Sequence, residues 1–360
     1  MTTTEFGGPM SPSPRSSLPA KVVGVTVLAL VLVVGLSWAK WLPYAEKVAS
    51  LGRNGVWDGD SIFVASDSVP SWTDTWRFTT TYFAAVWKAG AVALLLAAAI
   101  DALVPRVWLL KAMNRRTWFG QTFVAGTVAL PSMMCTCCTA PVAVGLRQRG
   151  VTPAASLAYW IGNPLLNPAV LAFLFLVSPW QFGVVRIVIA AVLVFGGAAL
   201  VAWLFDANRY GQAAPVVDDS PDPVRVSELP ARFLRSLAKF AIVLIPEYIV
   251  AVLVVGWLSG WMSSFENALA QLGVAAVIAA AVVGTLLVIP TGGEIPVILA
   301  LSAAGIGAGV LGALLITLPA LSIPSMVLVG RALSWRITVA MAAVVALAGV
   351  VAGGLLWFMM

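Results

Sequence analysis

Three cysteines stand within four residues, and the chain contains no others: Cys135, Cys137 and Cys138. Pro131 and Pro141 bracket them, so the backbone between is expected to be irregular. Thiolates are soft ligands that suit copper(I), zinc and other thiophilic species. Free cysteines also serve as small apolar residues in buried helices. The clustering of all three in one break favours a site where two or three thiols converge on a soft solute.

A second candidate site is the segment Asn-Pro-Leu-Leu-Asn-Pro at residues 163–168. Asn163 and Asn167 are four residues apart and would share one face of a helix. Each proline frees an upstream carbonyl, those of Trp160 and Pro164 if the segment is otherwise helical. Two amides and two carbonyls on one face could bind a substrate or a cation. The alternative is a kinked helix whose asparagines hydrogen-bond to neighbouring helices.

The third candidate is Glu294, in a second proline-bracketed break at residues 290–296 that also contains Thr291. An ionisable side chain inside a membrane segment is costly to bury and therefore marks a functional site by default. We predict that Glu294 carries protons near the thiol cluster, with Glu247 as the second choice. Thr291 is expected to contact the bound solute.

Other charged residues near the apolar segments have simpler explanations. Lys88 and Glu247 are expected to pair with each other. Asp101 and Arg186 are expected to lie at the membrane interfaces.

The composition decides the class of protein. Hydrophobic residues make up 61% of the chain, charged residues 10%, and mean hydropathy is +0.97. A soluble domain carries about 25% charged residues to cover its surface, so this is an integral membrane protein. The net charge of +6 then reports on orientation in the bilayer, and we expect no nucleic-acid partner.

The sequence also excludes several classes of chemistry. It contains no histidine, which removes His-bearing zinc sites and His-based catalytic triads. It has no Walker A motif, Gly-rich nucleotide loop or metalloprotease signature. We therefore expect neither an enzyme nor a resident cofactor. Energy would come from an ion gradient or from a separate subunit.

Apolar segments of spanning length, with tryptophans at many of their ends, predict an all-α polytopic membrane protein. Trp38, Lys40 and Trp41 are expected to anchor the end of the first segment at the membrane interface. The predicted units are a disordered cytoplasmic leader at 1–20, a first span at 21–41, an extracytoplasmic loop at 42–80, transmembrane repeats at 81–205 and 236–360, and a cytoplasmic linker at 206–235.

The two repeats rest on a constant offset of 155 residues, at which Pro141 corresponds to Pro296 and Trp180 to Trp335. If each break is a hairpin that enters and leaves on one side, the number of crossings per repeat is odd and the copies are inverted. This arrangement keeps the arginines of the 206–235 linker in the cytoplasm, as the positive-inside rule favours. The sequence thus predicts an inverted structural repeat with two broken or re-entrant helical hairpins. It also predicts a cytoplasmic N-terminus and an inner (plasma) membrane location.

Residues 131–171 resemble the bacterial predicted-permease family that includes the ArsP-type organoarsenical efflux permeases. The likeness rests on Cys-Thr-Cys-Cys-Thr-Ala-Pro at 135–141 and Gly-Asn-Pro-Leu-Leu-Asn-Pro at 162–168, and it extends more loosely to Pro324. Members of the family share a cysteine-bearing break, and ArsP-type members export trivalent methylated arsenicals. The resemblance implies that the three cysteines engage a thiophilic substrate.

These observations predict an integral membrane permease, an efflux secondary transporter for a small thiophilic solute such as an organoarsenical or a metal-like species. Its expected partners are that solute and the lipid bilayer, and the oligomeric state stays open. The alternative is a membrane thiol–disulfide conduit that passes reducing equivalents to extracytoplasmic proteins. Against the conduit, the second break has no cysteine, and adjacent cysteines such as Cys137 and Cys138 bridge with strain.

Overall fold

A computed structural model describes residues 18–54, 71–104, 106–210, 226–258 and 274–360 of the chain. Over these residues the secondary structure is helical, which confirms the predicted all-α class. The helices are α1 (Leu18–Leu36), α2 (Leu42–Asn54), α3 (Trp72–Leu103), α4 (Arg106–Met113), α5 (Trp118–Ala129), α6 (Thr136–Gln148), α7 (Pro153–Leu165), α8 (Pro168–Val177), α9 (Trp180–Ala191), α10 (Ala198–Tyr210), α11 (Leu229–Leu258), α12 (Val274–Leu286), α13 (Glu294–Ala303), α14 (Ala308–Ala320), α15 (Ile323–Ala332) and α16 (Trp335–Met359).

Six stretches of helix in the described part of the chain are long and apolar enough to cross a membrane. A seventh span is possible if α14 and α15, which are bent by 47° at their junction, act as one. The chain is therefore a multi-pass membrane protein. The spanning stretches are Val22–Asn54, Trp72–Leu103, Pro153–Val177, Trp180–Phe205, Val226–Trp257 and Trp335–Met359.

The first span is longer than the sequence predicts. Helix α1 continues through a π-helical turn at Ser37–Trp41 directly into α2, so helix extends to Asn54. The predicted loop at 42–80 is therefore helical at its start and again from Trp72, where α3 begins. The reason is that residues 42–54 are amphipathic and α2 packs on α8, so this polar stretch stays helical. Residues 55–70 lie outside the described residues.

Helix boundaries in the second half follow those of the first half at the same offset of 155 residues. Helices α14 and α15 have the lengths and the spacing of α7 and α8. The turns before α7 and α14 also match, because Gly150 and Gly305 adopt φ angles of 91° and 81°. Positive φ is a conformation that glycine reaches without steric cost, which explains why both turns carry it. The order of elements is thus duplicated, and the inversion of the two copies stays a prediction.

Both predicted breaks separate two short helices, and the hairpin path of these helices stays a prediction. In the first break, α5 passes into a 3-10 turn at Leu130–Ser132, Met133 is left-handed with φ 48°, and α6 begins at Thr136. In the second break, residues 287–290 are non-helical, and a turn precedes the start of α13 at Glu294. Irregular backbone at membrane depth must find its hydrogen bonds inside the protein or in a cavity.

Helices also cross closely near these breaks, and one such crossing lies between α14 and α16. A Cβ atom on Gly353 would lie 2.4 Å from the carbonyl oxygen of Gly309, and one on Gly312 would lie 2.7 Å from that of Ala352. Small residues allow membrane helices to approach at this distance. The packing fixes α14, and with it the kink that faces the first break.

Candidate functional site

The cysteine cluster occupies the start of α6. Cys135 is the extended residue just before the helix, and Cys137 and Cys138 lie in its first turn. All three are free thiols and are buried. The Sγ atoms of Cys135 and Cys138 are 3.1 Å apart. Two thiols at this separation can bind one soft atom together.

Cys137 faces the second half of the chain instead. Its Sγ lies 3.2 Å from Oγ of Ser322, the residue between α14 and α15. The hydroxyl of Tyr82 donates a hydrogen bond to the same sulfur at 3.5 Å and lies 2.8 Å from the hydroxyl of Tyr248. The sequence prediction missed Ser322 and both tyrosines, because neither a lone serine at a kink nor tyrosines in apolar helices stand out in the pattern.

Asn163 holds the irregular backbone of the first break. Its Oδ1 accepts a hydrogen bond of 2.7 Å from the backbone N–H of Met134, and its Nδ2 donates to Oγ of Ser132. Thr139 ties α6 to α7, because its hydroxyl contacts the carbonyl oxygen of Trp160 at 3.3 Å. Both carbonyls that the sequence predicted to be free thus have partners, since that of Pro164 accepts a hydrogen bond from Arg186. Asn163 therefore positions the backbone that carries Cys135.

Asn167 does not share a helix face with Asn163, contrary to the expectation. The prolines end α7 at Leu165 and restart the chain as α8 at Pro168, so the two amides are separated by a break. Asn167 caps α8, with Oδ1 accepting hydrogen bonds from the backbone N–H groups of residues 169 and 170. Its buried Nδ2 has no hydrogen-bond partner among the described residues. The amide is mainly a helix cap, with one donor left over.

An apolar cavity of about 270 Å³ reaches the cysteines from the side of the bundle. Its walls come from α3, α6, α11 and α15, and they include Cys137, Cys138 and Tyr248. Trp87 and Ile245, at its edge, are 53% and 43% exposed. Cys138 therefore belongs both to the close sulfur pair and to the cavity wall.

A buried ion pair between Glu294 and Arg186 connects the second break to α9. Glu294 is 1% exposed, and its Oε1 lies 3.0 Å from Nη2 of Arg186. Arg186 is fully buried and also donates to the carbonyl oxygens of Pro164, Leu165 and Leu315. The expectation that Arg186 lies at a membrane interface is wrong. Its guanidinium satisfies the carbonyls of Pro164 and Leu165, where α7 ends before Pro168, and the carbonyl of Leu315, which Pro319 frees. These partners and Glu294 are the reason that Arg186 can be buried.

The remaining acidic candidate lies elsewhere. Glu247 forms its ion pair with Arg331, whose side chain is 62% exposed. The expected Lys88–Glu247 pair is therefore wrong, and the Lys88 ammonium lies 5.4 Å from the ring centre of Trp38. The structure brings Glu294 to the kink of α7 and leaves Glu247 in a partly exposed pair.

Thr291, in the turn of the second break, contacts a residue that the sequence prediction placed at the membrane interface. Oγ1 of Thr291 accepts a hydrogen bond of 3.2 Å from Nζ of Lys40. Lys40 is only 7% exposed, so it is not an interface anchor. The π-helical turn rotates this part of the helix inward and aims the ammonium at the second break. The sequence offered one signal for a role of Lys40, which is that this charged residue directly follows an apolar segment of spanning length.

The arrangement is suited to reversible binding of a soft, small solute. Among the described residues, no group of three His, Cys, Asp or Glu side chains is placed to hold a metal ion. The close pair of thiols and the apolar cavity can instead accept a solute with one thiophilic centre and apolar substituents. Neutral hydroxyls of Ser322 and Tyr82 lie beside Cys137. The buried charged side chains of the described residues are Lys40, Arg186 and Glu294.

Comparisons with known proteins agree with this architecture. A family profile described as "Predicted permease", ArsP_1, matches residues 124–358. The UPF0718 protein YraQ of Escherichia coli (strain K12) is 36% identical over 344 residues, which cover 95% of this chain and 97% of that protein. No solved structure gives a significant match. The profile spans both breaks and both kinks, and the chain therefore belongs to the ArsP_1 family of predicted permeases.

Proposed function

We propose that this permease exports a small thiophilic solute, an organoarsenical or a comparable organometalloid, by alternating access. The observation that carries the proposal is the 3.1 Å separation of the Cys135 and Cys138 sulfurs beside an apolar cavity. A trivalent methylarsenical with two hydroxyl groups would lose them as two molecules of water while its arsenic forms bonds to the two sulfurs. The cavity would hold the apolar substituent.

The remaining groups support this role by position. Asn163 fixes the backbone that carries Cys135, and Thr291 of the second break accepts a hydrogen bond from Lys40 of the first helix. Paired broken helices in duplicated halves are typical of secondary transporters, whose sites lie where the breaks meet. We place the protein in the inner membrane with a cytoplasmic N-terminus, because this orientation keeps the arginine-rich linker inside.

Proton coupling through Glu294 is a separate part of the proposal. The carboxylate contacts the Arg186 guanidinium, which stays charged at all physiological pH values. Glu294 can exchange a proton only if it leaves Arg186 during the cycle. Glu247, in its partly exposed pair with Arg331, is the second candidate.

The test is the arsenic content of arsenic-sensitive cells after exposure to methylarsenite. Cells with the parent chain should accumulate less arsenic than empty cells, and a Cys135/Cys137/Cys138 triple serine variant should lose this effect. Thr139→Ser is the matched control, because it keeps the hydroxyl that bonds to Trp160 and leaves the thiols unchanged. Equal export by the triple variant at matched abundance in the membrane would overturn the thiol-binding role.

One observation favours the thiol–disulfide conduit as a second candidate. Cys135 and Cys138 form a Cys-x-x-Cys pair at a helix N-terminus, an arrangement that is common in disulfide oxidoreductases. Such a conduit should form a mixed disulfide with a thioredoxin-like protein when one of the two cysteines is replaced. Capture of that adduct with Cys138→Ser would favour the conduit over the exporter if, in addition, cells with any of the cysteine variants contain as much arsenic as cells with the parent chain.

A further inference from the structure

Lys40 is a buried cation that has no chemical role in the binding reaction proposed above. It lies in the π-helical turn at Ser37–Trp41, within a helix that precedes both predicted repeats. The side chain is 7% exposed and contacts the Tyr44 hydroxyl at 3.0 Å and Thr291 at 3.2 Å. π-Helical turns inside α-helices are frequent at functional sites.

The turn that carries Lys40 touches both breaks. Nε1 of Trp41 donates a hydrogen bond of 2.7 Å to the carbonyl oxygen of Pro131 in the first break. The adjacent Lys40 donates to Thr291 in the second break. The first helix therefore places one positive charge between the two breaks.

No carboxylate in the described part of the chain lies within ion-pair distance of the Lys40 ammonium. The other buried cation near the breaks, Arg186, has Glu294 and three carbonyl oxygens as partners. An ammonium in an apolar interior is costly unless an opposite charge compensates it. The structure thus leaves Lys40 with hydroxyl contacts where a counter-charge is expected.

The groups that can supply that charge are the thiols. Cys135 and Cys138 both lie close enough to the Lys40 ammonium to interact with it electrostatically. The other titratable groups around the turn are Tyr44, on the same helix, and the exposed Lys88, which lies over Trp38. Neither of these groups is an anion at neutral pH.

We propose that Lys40 is the counter-charge of a thiolate in the Cys135–Cys138 pair and the proton donor when a thiophilic solute binds. In the first step the thiolate forms a bond to the thiophilic atom of the solute, and the bond from that atom to its hydroxyl breaks. The leaving hydroxide takes a proton from the Lys40 ammonium, which yields water and a neutral amine. The second thiol then displaces the second hydroxyl and supplies its own proton for the second water. The role as counter-charge rests on the buried position of Lys40 beside the two breaks and does not depend on the proposed function. The role as proton donor rests on the proposed function.

The test of the counter-charge uses iodoacetamide on the purified full-length chain at neutral pH, with alkylation of each cysteine followed by mass spectrometry. The thiolate is the reacting form, so Lys40→Met should slow alkylation of the Cys135–Cys138 pair roughly tenfold. Lys40→Arg should keep the parental rate, because it retains the charge. Lys88→Met is the matched control and should react like the parent.

A merely structural role for Lys40 predicts a different result. Lys40→Met removes the buried cation, and the thiolate that it leaves behind can take up a proton and become neutral, so we expect the variant to unfold at about the same temperature as the parent. Alkylation of Lys40→Met at the rate of Lys88→Met would overturn the proposal, as would equal slowing by Lys40→Met and Lys40→Arg.

Measuring the rate of methylarsenite binding distinguishes a failure of this proposal from a failure of the proposed function. Lys40→Arg should bind methylarsenite roughly tenfold more slowly than the parent despite normal alkylation, because an arginine does not give up its proton. Equal binding rates would overturn the proton-donor step. If the parent does not bind methylarsenite but the alkylation pattern is as expected, the arsenical function is overturned and the lysine–thiolate pair is still supported.

Discussion

The first break, around Cys135, and the second break, around Glu294, lie at equivalent places in the two halves but are closed by different chemistry. The first is held by an asparagine amide and by hydroxyl and thiol groups, which are neutral partners. The second is held by an ion pair whose arginine also satisfies three carbonyl oxygens. The first break contacts the kink of the other half directly, through Ser322, whereas the second break is connected to Pro164 through Arg186.

This difference indicates that the two breaks have different roles. Neutral hydrogen bonds are individually weak, whereas an ion pair without water around it is costly to separate. The cysteine break can therefore rearrange around a solute, and the Glu294 break is the firmer support. Lys40 lies between them and contacts the second break directly.

The largest effect on stability is expected from breaking the buried ion pair. Arg186→Met would leave the Glu294 carboxylate and several carbonyl oxygens without a donor, at a cost of about 3–5 kcal/mol. The double variant Arg186→Met/Glu294→Met should recover much of the loss, because the unpaired charge is removed as well. Thermal unfolding of the purified chain would measure both effects.

Arg331→Met is the control for that comparison. It removes an arginine from an ion pair with Glu247, but its side chain is largely exposed. Exposed pairs contribute about 0–1 kcal/mol, so little change is expected. Equal losses for Arg186→Met and Arg331→Met would remove the basis for treating the second break as the firm one.

A smaller effect is expected at the first break. Asn163→Ala deprives the buried N–H of Met134 of its acceptor, which should cost about 1–3 kcal/mol. It should also weaken methylarsenite binding, because the backbone next to Cys135 loses its support. Asn167→Ala should cost about 1 kcal/mol as a lost helix cap and leave the binding constant unchanged. Binding that weakens more in Asn167→Ala than in Asn163→Ala would contradict these assignments.

The smallest effect is expected at the contact between the cysteine break and the second half. Ser322→Ala removes the hydroxyl that contacts Cys137 and Ser325, while the Ser325 hydroxyl keeps its bond to the carbonyl oxygen of residue 322. We expect a net cost of about 0.5–1.5 kcal/mol and an intact Cys135–Cys138 pair. Arsenical binding should stay close to that of the parent, measured by titration of the purified chain. A loss as large as that of Cys138→Ser would show that Cys137, and not Cys135, completes the site.

Much of the fold could be predicted from the sequence, because apolar length and proline-bracketed interruptions are local features. The two breaks and the equivalent order of elements follow from those patterns. The continuation of the first helix to Asn54 could not be predicted, since residues 42–54 are polar on average and only their packing on α8 reveals that they stay helical.

The site was predicted less completely, because pairing across the bundle leaves no local signal. The sequence identifies the cysteines and Glu294 by type, but it does not show that Arg186 crosses from α9 to meet Glu294. The burial of Lys40 depends on a π-helical turn, which the sequence pattern does not indicate. Asn163 and Asn167 were predicted to act together because the helix was assumed to continue past Pro164.

The most direct test of the central claim is mass spectrometry of the intact purified chain with stoichiometric methylarsenite. We expect an adduct in which one methylarsenic group bridges two sulfurs, with loss of two water molecules, in the parent and in Cys137→Ser. The adduct should be absent in Cys135→Ser and in Cys138→Ser. Retention of the bridged adduct in both Cys135→Ser and Cys138→Ser would contradict the claim that these two thiols form the binding site.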